Sequence, residues 1–166
     1  MRVTRRDLAL GAGAAALLGG CVRTGELYMP APRDRQFPRG FVWGAASSAF
    51  QTEGSLEADG RGPSIWDVFP RAKIHDGSDA SIAADSYRRY ADDVALLADA
   101  GLGAYRFSIS WSRIVPDGAS GVNAAGVDYY KRLVDALLAR GVTPYATLFH
   151  WDLPLPLQER SGWAAR

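Results

Sequence analysis

The chain has 166 residues, 48% of them apolar, with 19 basic and 18 acidic side chains and a formal net charge of +1. That is the profile of an ordinary soluble globular protein. The basic residues are scattered apart from a small cluster at the start, so no field exists to hold a polyanion and nothing marks a nucleic-acid binder. The only cysteine is Cys21, which rules out an intramolecular disulfide.

Residues 1–21 read as a targeting segment. Arg2, Arg5 and Arg6 precede a small-residue apolar run from Leu8 to Leu18 that is too short to span a bilayer as a mature helix. Thr4-Arg5-Arg6-Asp7-Leu8 resembles a twin-arginine export signal. Leu18-Gly19-Gly20-Cys21 places Cys21 where bacterial lipoprotein signals carry their lipid-attachment cysteine. The expectation is an exported bacterial protein, periplasmic or held at a membrane only through a lipid on Cys21. The alternative is an uncleaved anchor, or a fortuitous Arg pair before an Ala/Gly/Leu stretch. Residues 22–36, with Pro30, Pro32 and mixed charges, read as an exposed linker, which leaves 37–166 as the folded portion.

Phe41-Val42-Trp43-Gly44-Ala45-Ala46, bounded by Gly40 and by Ser47-Ser48, suits a buried strand. From Ile82 to Ala100, Ala83, Tyr87, Tyr90, Ala91, Val94, Leu97 and Ala98 follow the spacing of a helix with one buried face, and Gly101 supplies its stop. Ala104 to Ile109 reads as a second strand. Asn123 can cap a second helix carrying Val127, Tyr130, Val134, Leu137 and Leu138, which ends at Gly141, and a third strand follows.

A shift of 40 positions superposes Tyr90 on Tyr130, Val94 on Val134, Leu97 on Leu137, Gly101 on Gly141, Tyr105 on Tyr145 and Trp111 on Trp151. Consecutive β-α units of this kind give parallel strands covered by helices, either a doubly wound sheet or a closed (β/α)8 TIM barrel. No Gly-x-Gly-x-x-Gly follows a strand, which counts against a dinucleotide-binding sheet. Aromatic and polar residues at the strands' C-terminal ends favour the barrel, whose active sites are built there. Such a barrel needs roughly 250 residues, so about the first three β/α units are expected here.

The third strand ends abruptly in an imidazole, an indole and a carboxylate: Thr147-Leu148-Phe149-His150-Trp151-Asp152-Leu153-Pro154. Earlier blocks are Phe41 to Gly54 (FVWGAASSAFQTEG), Asp59 to Asp67 (DGRGPSIWD), Tyr105 to Ile114 (YRFSISWSRI) and Gly141-Val142-Thr143-Pro144. In this order they resemble the motifs of family 1 glycoside hydrolases, the β-glucosidase family, from about Phe37 to Trp163.

A neutral sugar offers vicinal hydroxyls and a flat C–H face, so a pocket selects it with side chains that both donate and accept, plus an aromatic platform. The resemblance implies that Gln51, His150 and Trp151 bind sugar hydroxyls, and that Arg106 contacts and orients the nucleophilic carboxylate. Read without it, Gln51 is a strand-end amide, His150 a satisfied buried histidine and Trp151 barrel-rim packing. Arg106, between Tyr105 and Phe107 in a core strand, calls for an anionic partner, here or elsewhere in the barrel. Glu53 reads as a support for its loop, His75 as part of a surface loop and Asp152 as a loop-fixing acceptor.

Retaining glycosidases need two carboxylates about 5 Å apart, which this family carries in Asn-Glu-Pro and Glu-Asn-Gly motifs. Neither motif occurs in the sequence. The expectation is therefore the N-terminal fragment of a retaining β-glycosidase acting on terminal β-D-glycosides. It is inactive alone, needs no cofactor or metal, and lacks a C-terminal barrel portion as its partner. The alternative is a non-catalytic sugar-binding lipoprotein.

Overall fold

The computed structural model describes residues 37–164. The chain falls into two compact units, Met1–Phe41 and Val42–Arg166. Within the first, residues 37–41 form a turn in which the Phe41 N–H donates to the Pro38 carbonyl at 3.0 Å. The expected signal segment 1–21, with Cys21, and the linker 22–36 lie outside the described residues.

The second unit runs β1 (Gly44–Ala46), α1 (Ala49–Thr52), α2 (Ser86–Asp99), β2 (Ala104–Ser108), α3 (Trp111–Ile114), α4 (Ala124–Ala139), β3 (Thr143–Thr147) and α5 (Leu155–Glu159). The three strands are parallel, in the order β1-β2-β3. The long helices α2 and α4 make the crossovers, and the short ones follow strand ends.

Both long helices close alike. Gly101 and Gly141 each adopt φ of 72°, a left-handed conformation that a Cβ would oppose. The following amides then reach back, Leu102 N–H to Leu97 O at 3.1 Å and Val142 N–H to Leu137 O at 3.0 Å. The 40-residue repeat is therefore real at the helix ends, but it slips by one in the strands. Tyr105 pairs in register with Pro144, and Arg106 with Tyr145. Since strand side chains alternate, Tyr105 faces the helices while Tyr145 shares the opposite face with Arg106.

The core lies between the sheet and the helices. Phe107 of β2 packs with Tyr87 and Val94 of α2 and with Tyr129, Tyr130, Leu133 and Leu137 of α4. Leu137 is fully buried, a contribution of about 2 kcal/mol by area. The opposite face carries Gly44 and Ala46 of β1, Arg106 of β2 and Thr143 and Tyr145 of β3, all exposed. No described element covers that face, as expected for the inner wall of a partial barrel.

Four details differ from the sequence reading. The first strand, expected as a buried run from Phe41 to Ala46, spans only Gly44–Ala46, because Phe41 closes a turn on Pro38, and Phe41, Val42 and Trp43 are exposed. Helix α2 begins at Ser86 rather than Ile82, because Ala83 and Asp85 hold left-handed φ of 50° and 54° and cannot continue a helix backward. Asn123 stands at the start of α4 but does not cap it. Its amide donates instead to Asp59 O at 2.7 Å and Arg113 O at 3.0 Å, tying the start of α4 to the Asp59 turn and to α3. The buried stripe of α4 is Gly126, Tyr129, Tyr130, Leu133 and Leu137, leaving Leu138 exposed and Val127 and Val134 half-buried.

The stripe is set by Gly126, whose missing Cβ lets α4 meet the Arg113 carbonyl; a Cβ there would lie 2.2 Å from that oxygen. Gly126→Ala should force α3 and α4 apart and lower the unfolding free energy by about 1–3 kcal/mol, read from the urea midpoint.

Candidate functional site at the strand ends

Parallel strands deliver their C-terminal ends to one side, and β2 and β3 bring Arg106 and His150 together there. The Arg106 Nε–H donates to Thr147 Oγ1 at 2.9 Å, and Nη2 lies 3.3 Å from His150 Nδ1. A guanidinium only donates, so Nδ1 accepts and the ring proton sits on Nε2. The pair thus presents an imidazole N–H and the unused guanidinium N–H groups as hydrogen-bond donors. The anionic partner expected for Arg106 is not found among the described residues. Arg106 faces the open side of the sheet and is exposed, so solvation replaces the buried counter-ion that a core position would demand.

Trp151 projects beyond this pair with φ of 71° and is 70% exposed. A bulky residue in the left-handed region is held there by its surroundings. The loop is clamped by the Ile65 N–H to Leu153 O and the Leu155 N–H to Pro63 O, both 2.9 Å. Asp152, buried, accepts from the His150 N–H at 3.4 Å, the loop-fixing role its position implied. Phe149 stacks edge-on against Trp111, Trp151 and Trp163, with centroids 5.3–6.2 Å apart.

Gln51 follows β1 and therefore stands at the same end of the sheet. Its Oε1 accepts from Ser48 Oγ at 2.6 Å. It makes no hydrogen bond with Arg106 or His150; its side chain borders a cavity lined by Phe50, Trp66 and Phe69. Helix α1 is docked on β2 by the Ala49 N–H donating to Ser108 Oγ at 2.7 Å.

Beneath the strand ends lies a buried ionic network. The fully buried Arg113 donates from Nε to Glu53 Oε2 at 2.9 Å and from Nη2 to Gly54 O at 3.3 Å, and its guanidinium lies 4.0 Å from the Tyr87 ring centroid. Tyr130 accepts from the Ser110 N–H at 2.7 Å, so its own proton is directed at Glu53 Oε1. Both carboxylate oxygens are thereby acceptors, as the ionised form requires. Burial pushes the Glu53 pKa up, against the pull of Arg113 and Tyr130.

The chain matches the model for glycosyl hydrolase family 1 over residues 33–166. It belongs to that family. It is 53% identical over 154 residues to a thermostable β-glucosidase B of Thermobispora bispora, covering 92% of this chain and 32% of that one. A rice β-glucosidase crystal structure superposes at a TM-score of 0.74 with 54% identity, covering 76% of this chain and 27% of the other. The family 1 β-glucosidase of Thermotoga maritima gives 0.76 with 46% identity, covering 78% and 30%. The chain thus spans about a quarter to a third of the length of these relatives, and its open sheet is part of the family 1 (β/α)8 barrel.

Within this family 1 chain the sequence reading singled out the exposed cation, Arg106, and passed over the buried one. The missed signal for Arg113 was its place in the single turn of α3 just after β2, from which its side chain meets Glu53. Glu53→Ala leaves that guanidinium buried and unpaired and should cost about 3–5 kcal/mol. The Glu53→Leu/Arg113→Met double variant should recover most of the loss, both read by urea unfolding.

Asp152 is pushed up to about 6 by burial from an ordinary value of 3.8; nearby Glu53 adds to the push and Arg61 opposes it. The folded state therefore holds its proton across an interval in which the unfolded state has lost it. Stability falls as pH rises through that interval and is constant on either side. Asp152→Asn should flatten this slope and stabilise the chain at pH 7 by about 3 kcal/mol, read from unfolding midpoints between pH 3 and 8.

Proposed function

We propose that these residues form the N-terminal portion of a retaining β-glycosidase that hydrolyses terminal β-D-glycosides. In this reading His150, Trp151 and Gln51 receive the sugar, and Arg106 orients a nucleophilic carboxylate supplied by the rest of the barrel. The observation that carries it is the Arg106–His150 pair, set at the strand ends of a family 1 barrel segment and facing the uncovered side of the sheet.

The division of labour follows from chemistry. Retention requires two carboxylates about 5 Å apart, one as acid and base and one as nucleophile. The residues that share the inner face, Gly44, Ala46, Ala104, Arg106, Ser108, Thr143, Tyr145 and Thr147, include no acid. A carboxylate brought against the free N–H groups of Arg106 is held ionised and in one orientation, as a nucleophile needs. The His150 Nε2–H donates to a sugar hydroxyl, and the exposed Trp151 indole offers both an N–H and an apolar face.

The reading also includes export, with lipid attachment at Cys21; loss of a lipid label in Cys21→Ala tests it. For the chemistry, the 166-residue chain should release no more chromophore from p-nitrophenyl β-glucoside than a buffer blank. The reading frame beyond codon 166 should encode an Asn-Glu-Pro motif. Turnover by the chain itself, or an unrelated downstream sequence, overturns the proposal.

A further inference from the structure

Arg106 and Thr147 sit diagonally on the uncovered face of β2 and β3. The register pairs Arg106 with Tyr145 and Ser108 with Thr147, so Thr147 stands one inward-facing step nearer the strand ends than the residue opposite Arg106. A long side chain on β2 that bonds the Thr147 hydroxyl is therefore drawn toward those ends. His150, three residues further along the same segment, meets the guanidinium there.

The two contacts use one edge of the guanidinium. Nε donates to Thr147 Oγ1 at 2.9 Å, and Nη2, on the same side of the planar group, lies 3.3 Å from His150 Nδ1. The remaining edge, Nη1 with the second N–H of Nη2, has no acceptor among the described residues. A guanidinium holds its donors in a rigid fork, so occupying one edge fixes where the other points. Arg106 is exposed and makes no ion pair among the described residues, so a neutral hydroxyl and a neutral imidazole set its pose.

Threonine suits this task. Its Cβ carries two heavy atoms, which restrict χ1, so on the half-buried Thr147 the acceptor oxygen keeps one position.

We propose that Thr147 is a positioning residue: its hydroxyl anchors Arg106 Nε, which keeps Nη2 against His150 Nδ1, holds the His150 proton on Nε2 and leaves the Nη1–Nη2 edge free on the uncovered side of the sheet. That this edge receives a nucleophilic carboxylate rests on the reading of the chain as a glycosidase segment. The anchor itself belongs to this chain and is measured without turnover.

The test is nitrogen NMR on the 166-residue chain, isotopically labelled at arginine and histidine. Two signals are read: exchange of the Arg106 Nε–H with water, and the His150 nitrogen shifts with the ring neutral, which distinguish a bare Nδ1 from a protonated one. The unaltered chain should show Nδ1 bare. Thr147→Val keeps the shape and removes the acceptor, so the Nε–H should exchange about tenfold faster, the factor that an ordinary hydrogen bond commands. His150 should then show a mixture of tautomers. Thr147→Ser restores a hydroxyl and should recover most of both signals. Arg106→Lys removes the fork and should release the His150 tautomer with Thr147 intact. If circular dichroism shows the valine variant unfolded, Thr147→Ala takes its place with the same expected signals.

A merely structural role for Thr147 would lower the urea midpoint and leave both signals where they were, and that result overturns the proposal. So does a proton on Nδ1 in the unaltered chain, or a fixed His150 tautomer that survives Arg106→Lys. Failure of the glycosidase reading, through turnover by the chain itself or an unrelated downstream sequence, moves none of these signals.

Discussion

The contact on which this fold depends is the buried pairing of Arg113 with Glu53. A guanidinium without solvent access is tolerable only if its charge is met; here Nε and Nη2 find acceptors, while Nη1 has none and the group lies against the Tyr87 ring. Glu53 meets it from the connection after β1, Gly54 adds a carbonyl, and Tyr130 approaches from α4. Segments from before β2, after β2 and along the second crossover are thus joined through one carboxylate. Local propensity could not do this, since α1 and α3 have four residues each and helices that short are unstable unless packed.

That junction fixes the strand ends from below. Ser110 donates its backbone N–H to Tyr130, and Ser108 receives the N–H of Ala49, so the segments leaving β1 and β2 are bound to the same support. Above it, Arg106 and Thr147 link β2 to β3 across the open face. Buried charge holds the scaffold, while solvated charge faces the space where a substrate would sit. The two guanidiniums, seven residues apart, have opposite environments because one lies on a strand's uncovered face and the other on a helix turned inward.

Much of this was legible in the sequence. Periodicity located both long helices and the three strands, the glycines marked both helix ends, and the motif blocks gave the family. Less legible were features that depend on close approach. Gly126 reads as a weak spot in a helix until the Arg113 carbonyl is beside it, and Asn123 reads as a cap until two other carbonyls claim its amide. In the site, the meeting of Arg106 with His150 follows from strand order, which the repeat implied. The position of Gln51 does not, because Ser48 three residues earlier takes its amide oxygen.

The one-residue slip between otherwise matching units has a broader meaning for how such barrels diversify. Helix closures at Gly101 and Gly141 stay in step, so successive modules stack alike whatever the intervening strand carries. Within the strand, however, odd and even positions belong to different worlds, lumen and packing layer. Moving a tyrosine by a single position therefore transfers it from the hydrophobic shell to the cavity without altering the module's composition or its envelope. Parity lets a repeated unit present different chemistry to each face while its helix closure stays the same.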